Sequence, residues 1–119
     1  MLIYKIFQEN ELKELNKRGT TKGTKKDLSD GFIHFSKGSQ LKETVEKHYQ
    51  GVTNLTVLAV DTRELTTSIK WEKSRNNQIF PHLYDQLSAK KIVWSSQVKM
   101  QNGVLVMRYH VMFSVMMVM

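Results

Sequence analysis

Three short segments concentrate the side chains able to do chemistry: Asp30-Gly31-Phe32-Ile33-His34-Phe35-Ser36, Trp71-Glu72 and Phe80-Pro81-His82-Leu83-Tyr84. In the first, period-two alternation puts Phe32, His34 and Ser36 on one strand face and Ile33 and Phe35 on the other. His34 then adjoins a hydroxyl just ahead of an expected helix start, where free N–H groups favour an anion. An imidazole, a hydroxyl and a helix start at one spot can hold a phosphate or a ribose. The competing reading is a buried histidine bonded to backbone, with Ser36 serving only as a cap.

Trp71 and Glu72 are neighbours in a strand and must face opposite ways. Trp71 is expected in the core, leaving Glu72 outward beside Lys70. Turned toward a cleft, Glu72 is a candidate general base or an acceptor for a sugar hydroxyl. Pro81 fixes the backbone and aims the side chains around it. His82 and Tyr84 can therefore stack on, or bond to, a planar ligand; equally, the stretch can be a rigid corner that closes the core. His34 and Glu72 are the catalytic candidates, and Ser36, His82 and Tyr84 the binding candidates.

Other chemistries are less well served. His34, His82 and Glu72 are an admissible zinc set for metal-assisted hydrolysis, but no two of them show local ligand spacing. The chain has no Gly-x-Ser-x-Gly elbow for a serine hydrolase. It has no cysteine, which excludes disulfides, thiolate metal sites and thiol nucleophiles and fits a reducing, cytoplasmic home.

These candidates need elements to position them. The 119 residues suit one domain with one core, and 40% hydrophobic with 24% charged residues is an ordinary globular balance. Met1–Phe7 is too short for a signal h-region and reads as a strand. No apolar run reaches the roughly 20 residues of a membrane span. Asn10 is a candidate cap for a helix carrying Leu12 and Leu15 and ending at Gly19. A helix over about 40–50 follows from Leu41, Val45 and Tyr49 every fourth residue, capped by Ser36 or Ser39 and closed by Gly51. Leu55–Val60 is almost continuously apolar, as a central strand buried on both faces should be. Ser68–Glu72, Ile92–Trp94 and Gly103–Val111 are further strands, with Asn102-Gly103 as a hairpin turn. Pro81 marks its stretch as a bend or an edge. The expected fold is α+β: a small mixed sheet with two to three short helices.

Charge and apolarity are unevenly spread. Between Lys13 and Lys26 lie six cations against the single acid Glu14. Such a run can meet phosphate, but its Gly and Thr content reads as a solvated, mobile loop. It lacks the interleaved aromatics that stacking on nucleic-acid bases needs. The last segment, 111–119, is apolar and methionine-rich. It reads as a buried last strand, with a contact surface for a partner or a second copy as the alternative, which would make the chain a non-catalytic interaction module.

The elements Ile3-Tyr4-Lys5-Ile6, Gly31-Phe32-Ile33-His34-Phe35-Ser36 with Gln40 and Thr44, the apolar strand ending in Asp61, Lys70-Trp71-Glu72 and Phe80-Pro81-His82-Leu83-Tyr84 occur in that order. Together they resemble the domain-of-unknown-function 952 family over about residues 2–94, and more distantly the ADP-ribosyltransferase-like fold. The distant resemblance implies a pocket for NAD or a related nucleotide and, if the protein is an enzyme, ADP-ribosyl- or phosphotransferase-like chemistry. It also implies a ribose-holding histidine on the first strand. Lys5 stands there instead, a cation that can meet phosphate but cannot orient ribose as a neutral imidazole does. Phe35 likewise stands where the family commonly has cysteine.

Overall fold

The computed structural model describes residues 1–65 and 67–111, with side chains through Met107. The apolar run Leu55–Asp61 forms strand β4, and six of its seven residues are buried. Its alternating side chains feed two cores: Leu58 and Val60 enter one, Leu55 and Val57 the other. β1 (Leu2–Phe7) pairs along one side of β4 and β8 (Ile92–Gln101) along the other, with β9 (Val104–Val111) outside β8. Asn102 and Gly103, both at positive φ, make the tight β8–β9 turn. The methionine-rich segment expected to be a last strand lies outside the described residues from 112 onward.

Three helices accompany this sheet: α1 (Glu9–Arg18), α2 (Lys25–Asp30) and α3 (Leu41–His48). α3 places Leu41 and Val45 against Ile6, Leu55, Val57 and Val98 on one face. The other face carries Ile3, Phe7, Leu58 and Val60 and meets Leu15 of α1. Against that face also lies a second sheet, ordered β3 (Ile33–His34), β6 (Ile79–Leu83) and β5 (Ile69–Lys73). A two-residue ladder joins β2 (Thr20–Thr21) to β7 (Leu87–Ser88). Tyr4 and Ser36 exchange backbone hydrogen bonds of 2.9 and 2.8 Å, tying the end of β3 to the free side of β1.

The α+β class stands, but several expectations change. All described strand pairs are antiparallel, so three small sheets replace one mixed sheet. The basic stretch is not a loop: Lys13, Lys17 and Arg18 lie on α1, and Lys25 and Lys26 open α2. Asn10 lies inside α1, whose N-cap is Gln8, with the Gln8 N–H donating to Glu11 Oε1 at 2.7 Å. Neither Ser36 nor Ser39 caps α3. A 3-10 turn, Gly38–Gln40, precedes the helix, and the Lys37 N–H is met by the Gln40 side chain.

Pro81 is in the central strand of its sheet. Its carbonyl accepts from Phe35 N–H at 3.0 Å. The reciprocal bond, which proline cannot donate, is missing from this pair, and β3 is regular only as far as His34. Trp71 is 43% exposed and not core. β5 is an edge strand, and the Trp71 face of it runs past the end of the core that Ile69 reaches.

Leu58 is fully buried and sits where β4 meets the second sheet's core. Leu58→Ala is expected to cost about 2–5 kcal/mol, read as a lower urea midpoint with an unchanged slope.

Candidate functional site

The lysine-rich region 13–26 ends in a capping box. Asp27 N–H donates to Thr24 Oγ1 at 3.2 Å, and Thr24 N–H donates back to Asp27 Oδ2 at 2.8 Å. This starts α2, and Gly31, at φ 86°, ends it. The helix therefore carries Asp27 inward, 1% exposed, against β1 and β3.

There Asp27 meets two further partners. Lys5 Nζ lies 2.7 Å from Oδ2, and the His34 ring Nδ1 lies against Oδ1, which also accepts from His34 N–H at 3.1 Å. With the Thr24 bond, each carboxylate oxygen takes two contacts, the full complement of its lone pairs. Burial opposes the charge, but bonds from His34 and Lys5 prevail and hold the Asp27 carboxyl down at about 2. Burial pushes the Lys5 ammonium below its usual range, and Asp27 opposes that. Lys5 also donates to the His34 carbonyl at 2.9 Å. The His34 Nε2 edge faces Asp30 Oδ2 at 3.0 Å.

β3 and β6 place His34 directly across from His82, with ring centroids 5.3 Å apart. Phe32 stacks on His82 at 4.2 Å. His82 Nδ1 lies 2.8 Å from Glu72 Oε1, which also accepts the Tyr84 hydroxyl at 2.7 Å. The Tyr84 and His82 bonds hold the Glu72 carboxyl below its usual range.

These side chains border a cleft of about 950 Å³ lined in part by Lys5, His34, Ser36 and His82. Glu72 and Tyr84 are not among its lining; Glu72 meets it through His82, and Tyr84 through Glu72 and the Phe32 ring, 5.0 Å away. The Ser36 hydroxyl lies 2.8 Å from Thr44 Oγ1, whose own proton goes to the Gln40 carbonyl at 3.0 Å. Ser36 is therefore the donor to Thr44. Of the residues singled out from sequence, His34, His82, Ser36 and Lys5 meet at the cleft. Lys5 does so as a buried ion-pair partner and not as a free cation. His34, His82 and Glu72 do not form a metal-ligating group among the described residues; both His34 nitrogens and His82 Nδ1 already face carboxylates.

The cleft also has a rim that sequence reading missed. Gln40, buried, donates to the Ile79 carbonyl at 2.9 Å and so holds the β5–β6 connection against α3. In that connection Asn76 and Asn77 take positive φ, a conformation asparagine tolerates. The tight turn throws Arg75 across α3. Its Nε lies 3.1 Å from Glu43 Oε1, and its Nη1 and Nη2 donate at 3.2 Å to His48 Nε2 and Thr44 Oγ1. The guanidinium also stacks over Phe80 at 4.9 Å. His48 accepts from Arg75 and is neutral; burial, then the nearby cations Arg75, Lys26 and Lys47, lower its pKa. Lys25, Lys26, Lys47 and Lys73 complete the rim. The only signal for this group was Arg75-Asn76-Asn77, which reads as an ordinary polar loop.

The profile of a family described as "Protein of unknown function (DUF952)" matches residues 6–95. The chain belongs to this family. The crystal structure of protein CC0527 from Caulobacter crescentus is similar to it, with a TM-score of 0.83 at 38% identity over 89% of this chain and 94% of that one. The solution NMR structure of CC0527 gives a TM-score of 0.77 at 38% identity, over 87% and 90%. No curated protein matches the chain. Among the described residues, no helix is long and apolar enough to cross a membrane.

Two outcomes follow from the buried carboxylate. The Asp27 pKa falls from 3.8 when unpaired to about 2 in the fold. Its contribution is therefore complete above pH 4 and vanishes as pH falls toward 2, about 2 kcal/mol in all. Asp27→Asn should remove that acid dependence from urea titrations run at several pH values. It should also cost about 3–5 kcal/mol at neutral pH by stranding Lys5. At Gly23, with φ +97°, an added Cβ would lie 2.1 Å from Asp27 Oδ2. Gly23→Ala should lower the melting temperature, whereas Gly19→Ala, which meets nothing within 4 Å, should do so by less.

Proposed function

We propose that this DUF952 protein binds a small ligand bearing a phosphate or diphosphate group, such as a nucleotide, in the cleft beside α3. One observation carries the reading: Arg75 is immobilised at the cleft by Glu43, Thr44, His48 and Phe80. A guanidinium has five N–H donors, and among the described residues one on each Nη is left without an acceptor. A fork held in place in advance loses little entropy on meeting a phosphate, which it matches in shape. The lysines of the rim add attraction of the same sign.

NAD or a related nucleotide in an ADP-ribosyltransferase-like pocket is the finer form of this reading. Lys5 argues against ribose being held from the first strand, since its ammonium is spent on Asp27 and the His34 carbonyl. Phosphate recognition by the rim does not need it. A transferase step would draw on His34, whose ring is held between Asp27 and Asp30.

Inorganic phosphate, pyrophosphate, ADP, ADP-ribose and NAD should be titrated while following melting temperature and heat of binding. At least one phosphate compound should stabilise the fold, with affinity falling as salt rises. Arg75→Met should weaken that binding by about tenfold or more, as loss of a charge-assisted fork does. A flat response to every compound would sink the reading.

A further inference from the structure

Phe80 and His82 lie two residues apart, one strand repeat, on one face of β6, and the Arg75 guanidinium stacks over Phe80 at 4.9 Å. Along a strand that repeat is about 7 Å. The His82 ring is held in place: Phe32 stacks on its face at 4.2 Å and 26°, and Nδ1 lies 2.8 Å from Glu72 Oε1. His82 is only 4% exposed, yet it lines the cleft, and its Nε2 is buried with no hydrogen-bond partner among the described residues. Glu43 Oε1 and Arg75 Nε also lack a well-directed hydrogen bond, but they face each other as an ion pair. Nε2 has no such compensation.

The chemistry of Nε2 follows from its neighbours. A carboxylate can only accept, so the proton facing Glu72 belongs to Nδ1, and Nε2 presents a bare lone pair. Burial, the largest influence, lowers the His82 pKa; Glu72 works against it and His34 with it. The neutral ring is therefore the form present at neutral pH. Tyr84 donates to the same Glu72 oxygen and keeps the carboxylate ionised. A buried lone pair without a donor is a polar group waiting for one.

We propose that His82 Nε2 is the hydroxyl-reading subsite of the cleft, accepting a hydrogen bond from a ligand whose phosphate sits at Arg75. Glu72 and Tyr84 are positioning residues that fix the tautomer without touching the ligand. The ligand class is a phosphorylated hydroxyl compound, a sugar phosphate or the sugar-phosphate part of a nucleotide, whose phosphate and hydroxyl reach neighbouring positions along β6. The inference rests on the phosphate-ligand reading above. It narrows that reading, because inorganic phosphate can satisfy Arg75 but not His82.

The test compares ribose 5-phosphate with inorganic phosphate by calorimetry on the wild-type chain, His82→Phe and Glu72→Gln. Wild type should prefer ribose 5-phosphate by about tenfold or more, since a buried acceptor built for a hydroxyl discriminates strongly against its absence. His82→Phe should erase that preference, read as the ratio of the two affinities on the same variant. Glu72→Gln should change that preference, because a side-chain amide can donate to Nδ1 and shift the ring proton to Nε2, which must then donate to the sugar hydroxyl and no longer accept from it. Nitrogen NMR of His82 reads that shift directly, and a Glu72 with a merely structural role would leave it unmoved. If phosphate binds but ribose 5-phosphate binds all three proteins equally, the subsite is wrong and the phosphate reading survives. If wild type binds neither compound, the phosphate reading falls and this inference with it. Should His82→Phe fail to fold, the free wild-type spectrum still decides: a proton on Nε2 would overturn the assignment.

Discussion

Asp27 is the interaction on which the rest of the site depends. One buried carboxylate starts α2 through Thr24, neutralises Lys5 from β1, and fixes both the backbone and the ring of His34 on β3. A charge this deep is tolerable only when every lone pair is met, and here each is. Three elements distant in sequence thus become one rigid floor. Gly23 belongs to that floor as well, since no side chain fits between its backbone and the carboxylate.

The floor also sets the electrostatics of the cleft. Lys5 sits in it as a cation, but its charge is matched at 2.7 Å and is unavailable to a ligand. Further positive charge stands at the rim, where Lys25, Lys26, Lys47 and Lys73 are brought together with Arg75, itself paired with Glu43, by the β5–β6 turn and the ends of α2 and α3. An anion would meet the rim first, while the deeper wall offers uncharged groups, the Phe32 and His82 rings. A site of this form reads a molecule with one anionic end and one polar, uncharged end.

Much of this was legible in the sequence, and the parts that were not share a cause. The apolar run Leu55–Val60, the Asn102-Gly103 hairpin and the alternation that turns His34 away from Ile33 and Phe35 are local consequences of strand geometry, and the structure has all three. α2 was hidden because its helix signal is six residues of mostly charged sequence. Its capping box, Thr24 with Asp27, was there to be read but was masked by the lysines around it. Trp71 was misplaced because alternation says which residues share a face and not which face is covered. Pro81 was misplaced because the rule against proline in central strands assumes a full-length neighbour, and β3 stops beside it.

By itself the sequence determined the α+β class, the buried central strand, the absence of thiol chemistry, and the pairing of neighbours on each strand face. These depend on residue type and on periods of two and near four, which any local stretch of chain expresses. Only the tertiary structure decided that Lys5 is an ion-pair partner, that Glu72 stands behind His82, and that Arg75 completes the cleft. Each of those is a contact between residues 10 to 32 positions apart. Such contacts are set by which sheet faces which helix and by how a buried charge finds its partner, and no local pattern encodes either.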